Sequence, residues 1–360
     1  MDNKEKESED DDNILEILKL STACVGKIIN SMEFTDAFTL SSLSNRSKNC
    51  VRSANYQIAG MKFEFCNSED DDRILLARTT HALADSIIEP RDSHPQRWSI
   101  FLPKREVMGI FTYRYKDFNL VGRTNVDCKE LVTNHLMNVF KTDKTYVTIR
   151  RTIKNLPDFF LWKYVKKFTY VEVSPEKDET LNITTDDINF VLGTVKSLNY
   201  RFSVNINEKV FKLKNSIYDE CELLCFDDAH WLDTENLLTH TPLLKKLRLN
   251  GIHGKQINTV LKHMIRGDSS KLVEFSTFAG YRFVENDIFD GIETKIENIQ
   301  KRKTTDGRFQ ISYCTDINNI RVTIENPQNE LLLNAWIAEL EEELRSKNRR
   351  KWRARMTGND

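Results

Sequence analysis

Residues 20–55 read LSTACVGKIINSMEFTDAFTLSSLSNRSKNCVRSAN, and the placing of their apolar side chains frames the rest of the chain. Val25, Ile28, Ile29 and Met32 follow one another at steps of three, one and three residues, which puts all four on one face of a short helix. Thr35-Asp36 offers a turn and an N-cap for a second helix. Beyond it, Leu40, Leu43 and Val51 return at near-helical intervals, with Arg46, Lys48 and Arg52 between them. Two or three short helices in roughly 35 residues bury too little surface to stand alone. Such a unit must dock on the rest of the chain, on a partner, or on both.

The pattern resembles an F-box, the helical module that holds a Skp-type adaptor of a cullin–RING ubiquitin ligase. The residues that carry the resemblance are Leu20, Val25, Ile28, Ile29, Met32, Phe38, Leu40 and Leu43, with the Ser44-Asn45-Arg46 step after them. Two positions depart from the motif. Its usual Leu-Pro opening is Leu20-Ser21 here, and Ser47-Lys48 replaces the aromatic near its end. The resemblance implies that the eight apolar residues form an adaptor-binding face.

At 360 residues the chain can hold one large domain or two ordinary ones, and 39% hydrophobic residues with 20 Phe suffice for a sizeable core. A net charge of −1 gives no global drive toward nucleic acid or an anionic membrane. No apolar run is long enough for a membrane span, and the N-terminus is acidic where a signal peptide would be basic and then apolar. Seven scattered cysteines (24, 50, 66, 128, 221, 225 and 314) read as reduced, mostly buried thiols. These features point to an intracellular protein, cytoplasmic or, through its basic end, nuclear. The first twelve residues hold seven acids against two lysines and are expected to be disordered.

After the helical module, Met61, Phe63 and Phe65 alternate with Lys62 and Glu64, as in a strand with one buried face. The acidic run Ser68 to Asp72 suits the start of a helix carrying Leu76, Leu83 and Ile87 inward; it repeats the letters of Ser8 to Asp12 and could also take phosphate. Glu89 to Arg97, with Pro90 and Pro95, reads as a loop, and Val107 to Val121 as extended chain.

From about residue 129 a rhythm sets in. A helix with Val132, Leu136, Val139 and Phe140 leads to a strand near Val147. Further strands are expected at 168–173, 201–206, 222–226, 246–249 and 272–275, with helical spacing at Asp187 to Val195 and Ile257 to Ile265. Successive strands start roughly 20 to 33 residues apart, near the period of irregular leucine-rich repeats. Units of this kind stack to cover one another's apolar faces, although a one-off α/β sandwich also fits. Asp306-Gly307 marks a tight hairpin between extended runs at 296–301 and 309–313, and 321–324 reads as a further strand. Pro327 opens a last helix with Leu333, Ile337, Leu340 and Leu344 along one stripe.

A second resemblance covers Trp231 to Phe275. Trp231 with Thr234-Glu235, Asn258 before Leu261-Lys262, Gly267 and the closing Leu272 strand resemble the type 2 F-box-associated domain of nematode F-box proteins. Met264 stands where that family usually has Trp. Physically these residues read as architecture, with Trp231 anchoring a junction, Thr234 capping a helix and Gly267 ending one.

The expected fold class is therefore α/β: a small N-terminal helical F-box followed by an irregular leucine-rich-repeat-like strand–helix solenoid. The expected segments are an acidic tail (1–13), the helical module (14–56), a connecting α/β stretch (57–128), the repeat-like domain (129–326) and a C-terminal helix with a basic tail (327–360).

No catalytic constellation emerges. Gly251 to Lys255 lacks the length and following hydroxyl of a phosphate loop. Cys221, Cys225 and His230 lack a second ligand pair for zinc, so no metal or cofactor is expected. Asp227, Asp228 and His230 read as a solvated turn, and His263 as facing solvent or a neighbouring loop. The chain is expected to be a non-enzymatic substrate receptor, monomeric within a complex, that joins a Skp-type adaptor and cullin core to a target protein. The alternatives are an interaction scaffold with no ligase link, or a nucleic-acid binder led by the six Lys and Arg between Lys347 and Arg355.

Overall fold

The computed structural model describes residues 20–67, 72–77, 96–102, 105–114, 117–121, 126–176, 181–206, 210–266, 271–278, 284–298, 301–305, 309–314 and 319–324. The chain divides into two compact units, Met1–Arg248 and Leu249–Asp360. The acidic stretches at 1–13 and 68–71, the Pro90 and Pro95 loop, Gly267, Asp306-Gly307, the helix after Pro327 and the basic tail lie outside the described residues.

The first unit opens with three helices, α1 (Thr22–Ser31), α2 (Phe34–Leu43) and α3 (Asn45–Ser53). The Ser21 hydroxyl accepts from the Cys24 N–H at the start of α1. Ser44 and Ser47 form a reciprocal capping box at the start of α3. The break before α2 falls at Met32-Glu33, ahead of the expected Thr35-Asp36 turn, and Glu33 takes the N-cap position of α2 in place of that pair. An extended conformation at Met32 ends α1, and the Tyr56 hydroxyl donates to the Met32 carbonyl at 3.0 Å to fix that corner.

Beyond β1 (Gln57–Ile58), strand β2 (Gly60–Phe65) buries Met61, Phe63 and Phe65 as its alternation predicts. β3 (Arg73–Ala77) is a strand, not the expected helix, and pairs antiparallel with β2 along its whole length. Leu83 and Ile87, which suggested the helical period, lie outside the described residues. Asp72 is no helix-start acid either. Its carboxylate accepts the Cys66 N–H at 2.9 Å and pairs with Arg151. Strands β4 (Gln96–Leu102), β5 (Arg105–Arg114) and β6 (Asp117–Val121) continue the antiparallel edge, so Arg97 belongs to a strand.

Helix α4 (Val126–Val139) then leads through β7 (Lys141–Thr142) to a parallel ladder. Its rungs are β8 (Thr145–Ile149), β9 (Tyr170–Val173), β10 (Asn199–Phe202), β11 (Leu223–Phe226) and β12 (Lys246–Leu249). β8, β9, β10, β11 and β12 lie side by side in chain order, with β2 on the far side of β8. β2, β8, β9, β10 and β11 pair parallel in continuous register. The helices α5 (Phe160–Tyr164), α6 (Thr185–Thr194) and α7 (Thr234–His240) fall in the crossovers. The unit is thus mixed α/β with a largely parallel sheet.

One face of the ladder is apolar and buried: Val147, Val171, Val173, Tyr200, Phe202, Leu224, Phe226 and Leu247. Along it runs an aromatic spine. Phe202 stacks on Phe226 at 5.2 Å, Phe226 meets Trp231 edge-on at 5.6 Å, and Trp231 meets Phe211 at 5.6 Å. Trp231 is 1% exposed, and losing a side chain of that size costs about 3–5 kcal/mol. Thr234 is not the cap of α7. Asp233 is, its carboxylate accepting the Asn236 N–H at 3.0 Å. Asn189 and Asn236 bind the backbone of residues 212–214 from two helices, replacing the strand pairing that this segment lacks.

The second unit contains α8 (Gly254–Arg266), β13 (Glu274–Phe278), α9 (Glu285–Phe289), β14 (Thr294–Asn298), β15 (Lys301–Thr304), β16 (Phe309–Cys314) and β17 (Asn319–Ile324). The expected run at 296–301 holds the end of β14 and the start of β15, which pair antiparallel, and β15 and β16 flank Asp306-Gly307 as a second antiparallel pair. β17 joins β13 to β16. The strand expected at 272–275 begins two residues later. Asn258, on the buried side of α8, donates to the carbonyls of Ile288 and Asp290 at 2.8 Å each and ties α9 to α8. Gly254 is required there: a Cβ would sit 2.8 Å from the Asp287 Cβ.

Candidate functional site

The eight apolar residues of the N-terminal module do not share one fate. Val25, Ile29, Phe38 and Leu40 are buried, Ile28 and Met32 are half-buried, and Leu20 and Leu43 are 47% and 48% exposed. α1 packs on α3, which in turn packs on α4. Asn30 Nδ2 donates to the Ala54 carbonyl at 2.9 Å, closing α1 against the end of α3. Phe34 and Phe38 lie against Phe140 at 5.0 and 6.3 Å, and Tyr56 meets the same ring edge-on at 5.8 Å. The buried half of the apolar set is therefore used within the chain. The surface it leaves is Leu20, Leu43 and the outer parts of Ile28 and Met32.

A polar joint pins the module to α4. His135 is 4% exposed; its Nε2 lies 2.7 Å from the Ser41 Oγ, and Phe38 meets the ring edge-on. The Ser41 hydroxyl gives its hydrogen to the Phe38 carbonyl at 2.7 Å, so Nε2–H is the donor to Ser41. Burial first, and then the Lys48 ammonium, push the imidazole pKa down to about 4. His135 is thus neutral at ordinary pH. This joint is invisible in the sequence, because a Ser and a His 94 residues apart carry no local pattern.

The ladder's second face is polar. Lys62, Tyr146, Tyr170 and Asn199 share one row across the strands, and Glu64, Thr148, Glu172, Arg201 and Cys225 share the next. Lys62 pairs with Glu64, and the Thr148 hydroxyl donates to Glu172. Asp227 is no solvated turn residue. It holds Arg201 through Nε at 2.9 Å and Nη2 at 2.8 Å, and accepts the Ser203 hydroxyl. Asp228 and His230 do form an exposed pair, at 2.6 Å. Cys221 and Cys225 are buried, and burial pushes both thiols up to about 12. Among the described residues, no group of three or more His, Cys, Asp or Glu is placed to hold a metal ion. His263 is half-buried on α8.

At one end of the same ladder, where strands begin, lysines collect. Lys144 precedes β8, Lys163, Lys166 and Lys167 precede β9, and Lys196 precedes β10. Lys163 pairs with Glu130, which also accepts the Tyr164 hydroxyl at 2.6 Å; those two bonds hold the Glu130 carboxyl below its ordinary range. Lys167 pairs with Glu220.

Among the described residues, no helix is long and apolar enough to cross a membrane. No protein-family model, curated protein or solved structure matches this chain.

Proposed function

We propose that this chain is a non-enzymatic substrate receptor of a cullin–RING ubiquitin ligase, with a degenerate F-box followed by a leucine-rich-repeat-like solenoid. The observation that carries the reading is the order of parts: a three-helix N-terminal module with exposed Leu20 and Leu43, then parallel strands laid side by side in chain order. In this reading a Skp-type adaptor takes Leu20, Leu43, Ile28 and Met32. Val25, Ile29, Phe38 and Leu40 support that surface from beneath. The ladder holds a target protein near the ligase core, and the acceleration is proximity alone.

A second reading has a specific observation behind it. The burial of Val25 and Ile29, and the joint between His135 and Ser41, are what helices capping the first rungs of a repeat array would need. The chain would then be an interaction scaffold with no ligase link.

A pull-down with a purified Skp-type adaptor separates the two. The variant to use is Leu20→Asp/Leu43→Asp, because both side chains are exposed, and a circular-dichroism spectrum matching the parent's is the check that it stays folded. Capture of the parent and loss of capture by the variant support the receptor. Absence of capture at micromolar concentrations leaves the scaffold.

A further inference from the structure

We infer that the lysine rim at the starting ends of β8, β9 and β10 is the docking surface for an acidic, extended segment of a partner protein. The inference rests on the receptor reading only in calling that partner a target; the surface itself is argued from charge and geometry.

The backbone sets the spacing. The Met61 N–H donates to the Lys144 carbonyl, the Thr169 N–H to the Thr145 carbonyl, and the Phe168 N–H to the Lys196 carbonyl at 2.8 Å. Lys144, Lys167 and Lys196 therefore start adjacent rungs, about 4.8 Å apart. Lys166 directly precedes Lys167, and it is exposed, as is Lys196. Lys163 and Lys167 have carboxylate partners in Glu130 and Glu220. Lys144, Lys166 and Lys196 form no ion pair among the described residues, and the exposed acids nearby are Asp143 and Glu220, the latter paired with Lys167 and within the field of Lys196. The rim thus carries uncompensated positive charge on a chain whose net charge is −1.

Two of these lysines are held in place. Lys167 and Lys196 each lie 5.8 Å from the centre of the Tyr218 ring, one ring attracting both ammonium groups. That contact sets both cations on the rim beside Lys166, whose ammonium donates to the Lys163 carbonyl at 2.9 Å.

The chemistry favours a polypeptide over a nucleic acid. A nucleic-acid strand carries a phosphate on every nucleotide without interruption, and Asp143 and Glu220 would break the matching field. The rim's aromatic, Tyr218, already has cations against it and offers no free platform for a base. An extended peptide places alternate side chains about 6.6 Å apart on one face, so its carboxylates can meet cations on successive rungs and pass over the acids. Lysine's flexible stem suits such a match.

The test is fluorescence anisotropy of the full chain, without adaptor, against a labelled decaglutamate peptide at low salt. The comparison proteins are Lys166→Glu/Lys196→Glu and the control Lys255→Glu/Lys271→Glu, whose exposed lysines lie in the second unit. The expected result is saturable binding by the parent and the control. It weakens as salt rises, and by about tenfold or more in the rim variant. Absence of binding, or equal binding by the rim variant, overturns the proposal. So does binding of a single-stranded oligonucleotide of equal charge as tight as that of the peptide. Because the adaptor is absent, failure here is distinct from failure of the adaptor pull-down.

Discussion

Acidification should loosen the joint between the N-terminal helices and α4, and His135 sets the amount. The imidazole is neutral in the fold, with its pKa depressed from 6.5 to about 4 by burial and by Lys48. Between those two values the unfolded chain binds a proton that the folded chain refuses. Stability therefore falls as pH falls through this window, and the contribution is complete above pH 6.5. At about 1.36 kcal/mol per pKa unit, the loss is about 1.4 kcal/mol at pH 5.5 and about 2.5 kcal/mol at pH 4.5. Other groups titrate in the same range, so the quantity to measure is a difference. His135→Gln keeps an amide donor for Ser41 and cannot take up the proton. Urea unfolding of both proteins, followed by intrinsic fluorescence at several pH values from 7.5 to 4.5, gives the free energy of each. The gap between them should narrow in favour of the Gln variant by the amounts above. A gap that stays flat within about 0.5 kcal/mol from pH 7.5 to 4.5 would refute the buried neutral imidazole.

Arg151→Ala strands the Asp72 carboxylate, 5% exposed, without its cation, and should cost about 3–5 kcal/mol in urea unfolding. The Arg151→Ala/Asp72→Asn double variant should recover part of that loss. Asn258→Ala leaves the Ile288 and Asp290 carbonyls without their donor; it should cost about 2 kcal/mol and speed amide exchange in α8 and α9 before the first unit responds. At pH 8 a thiol reagent should modify exposed Cys24 in the native protein and leave Cys221 and Cys225 unmodified until the chain unfolds, since their thiols titrate only near 12.

What the sequence made legible was local and periodic. The alternation in β2, the stripe Val132, Leu136, Val139 on α4 and the strand at Lys246–Leu249 are read straight from spacing, because each is decided by which face the element buries. At Arg73–Ala77 the structure differs from the expected helix for a physical reason. Ile74, Leu75 and Leu76 fit either a strand or a helix, and pairing with β2 decided between them. Asp72 reads as a helix-start acid and Asp227 as part of a solvated turn, yet each is held by an arginine distant in sequence. The N-terminal face shows the same limit. Spacing puts Val25, Ile28, Ile29 and Met32 together, but only the neighbouring helices determine that Val25 and Ile29 are covered while Ile28 and Met32 keep partial exposure. Helix boundaries shifted where a backbone turn, as at Met32-Glu33, outweighed a better capping residue nearby.

Amide hydrogen exchange with and without a Skp-type adaptor tests the receptor role most directly. Adding micromolar adaptor should slow exchange in residues 20–43, around Leu20, Ile28, Met32 and Leu43, and leave the aromatic spine of Phe202, Phe226 and Trp231 unchanged. Exchange in residues 20–43 that is identical with and without the adaptor would contradict it.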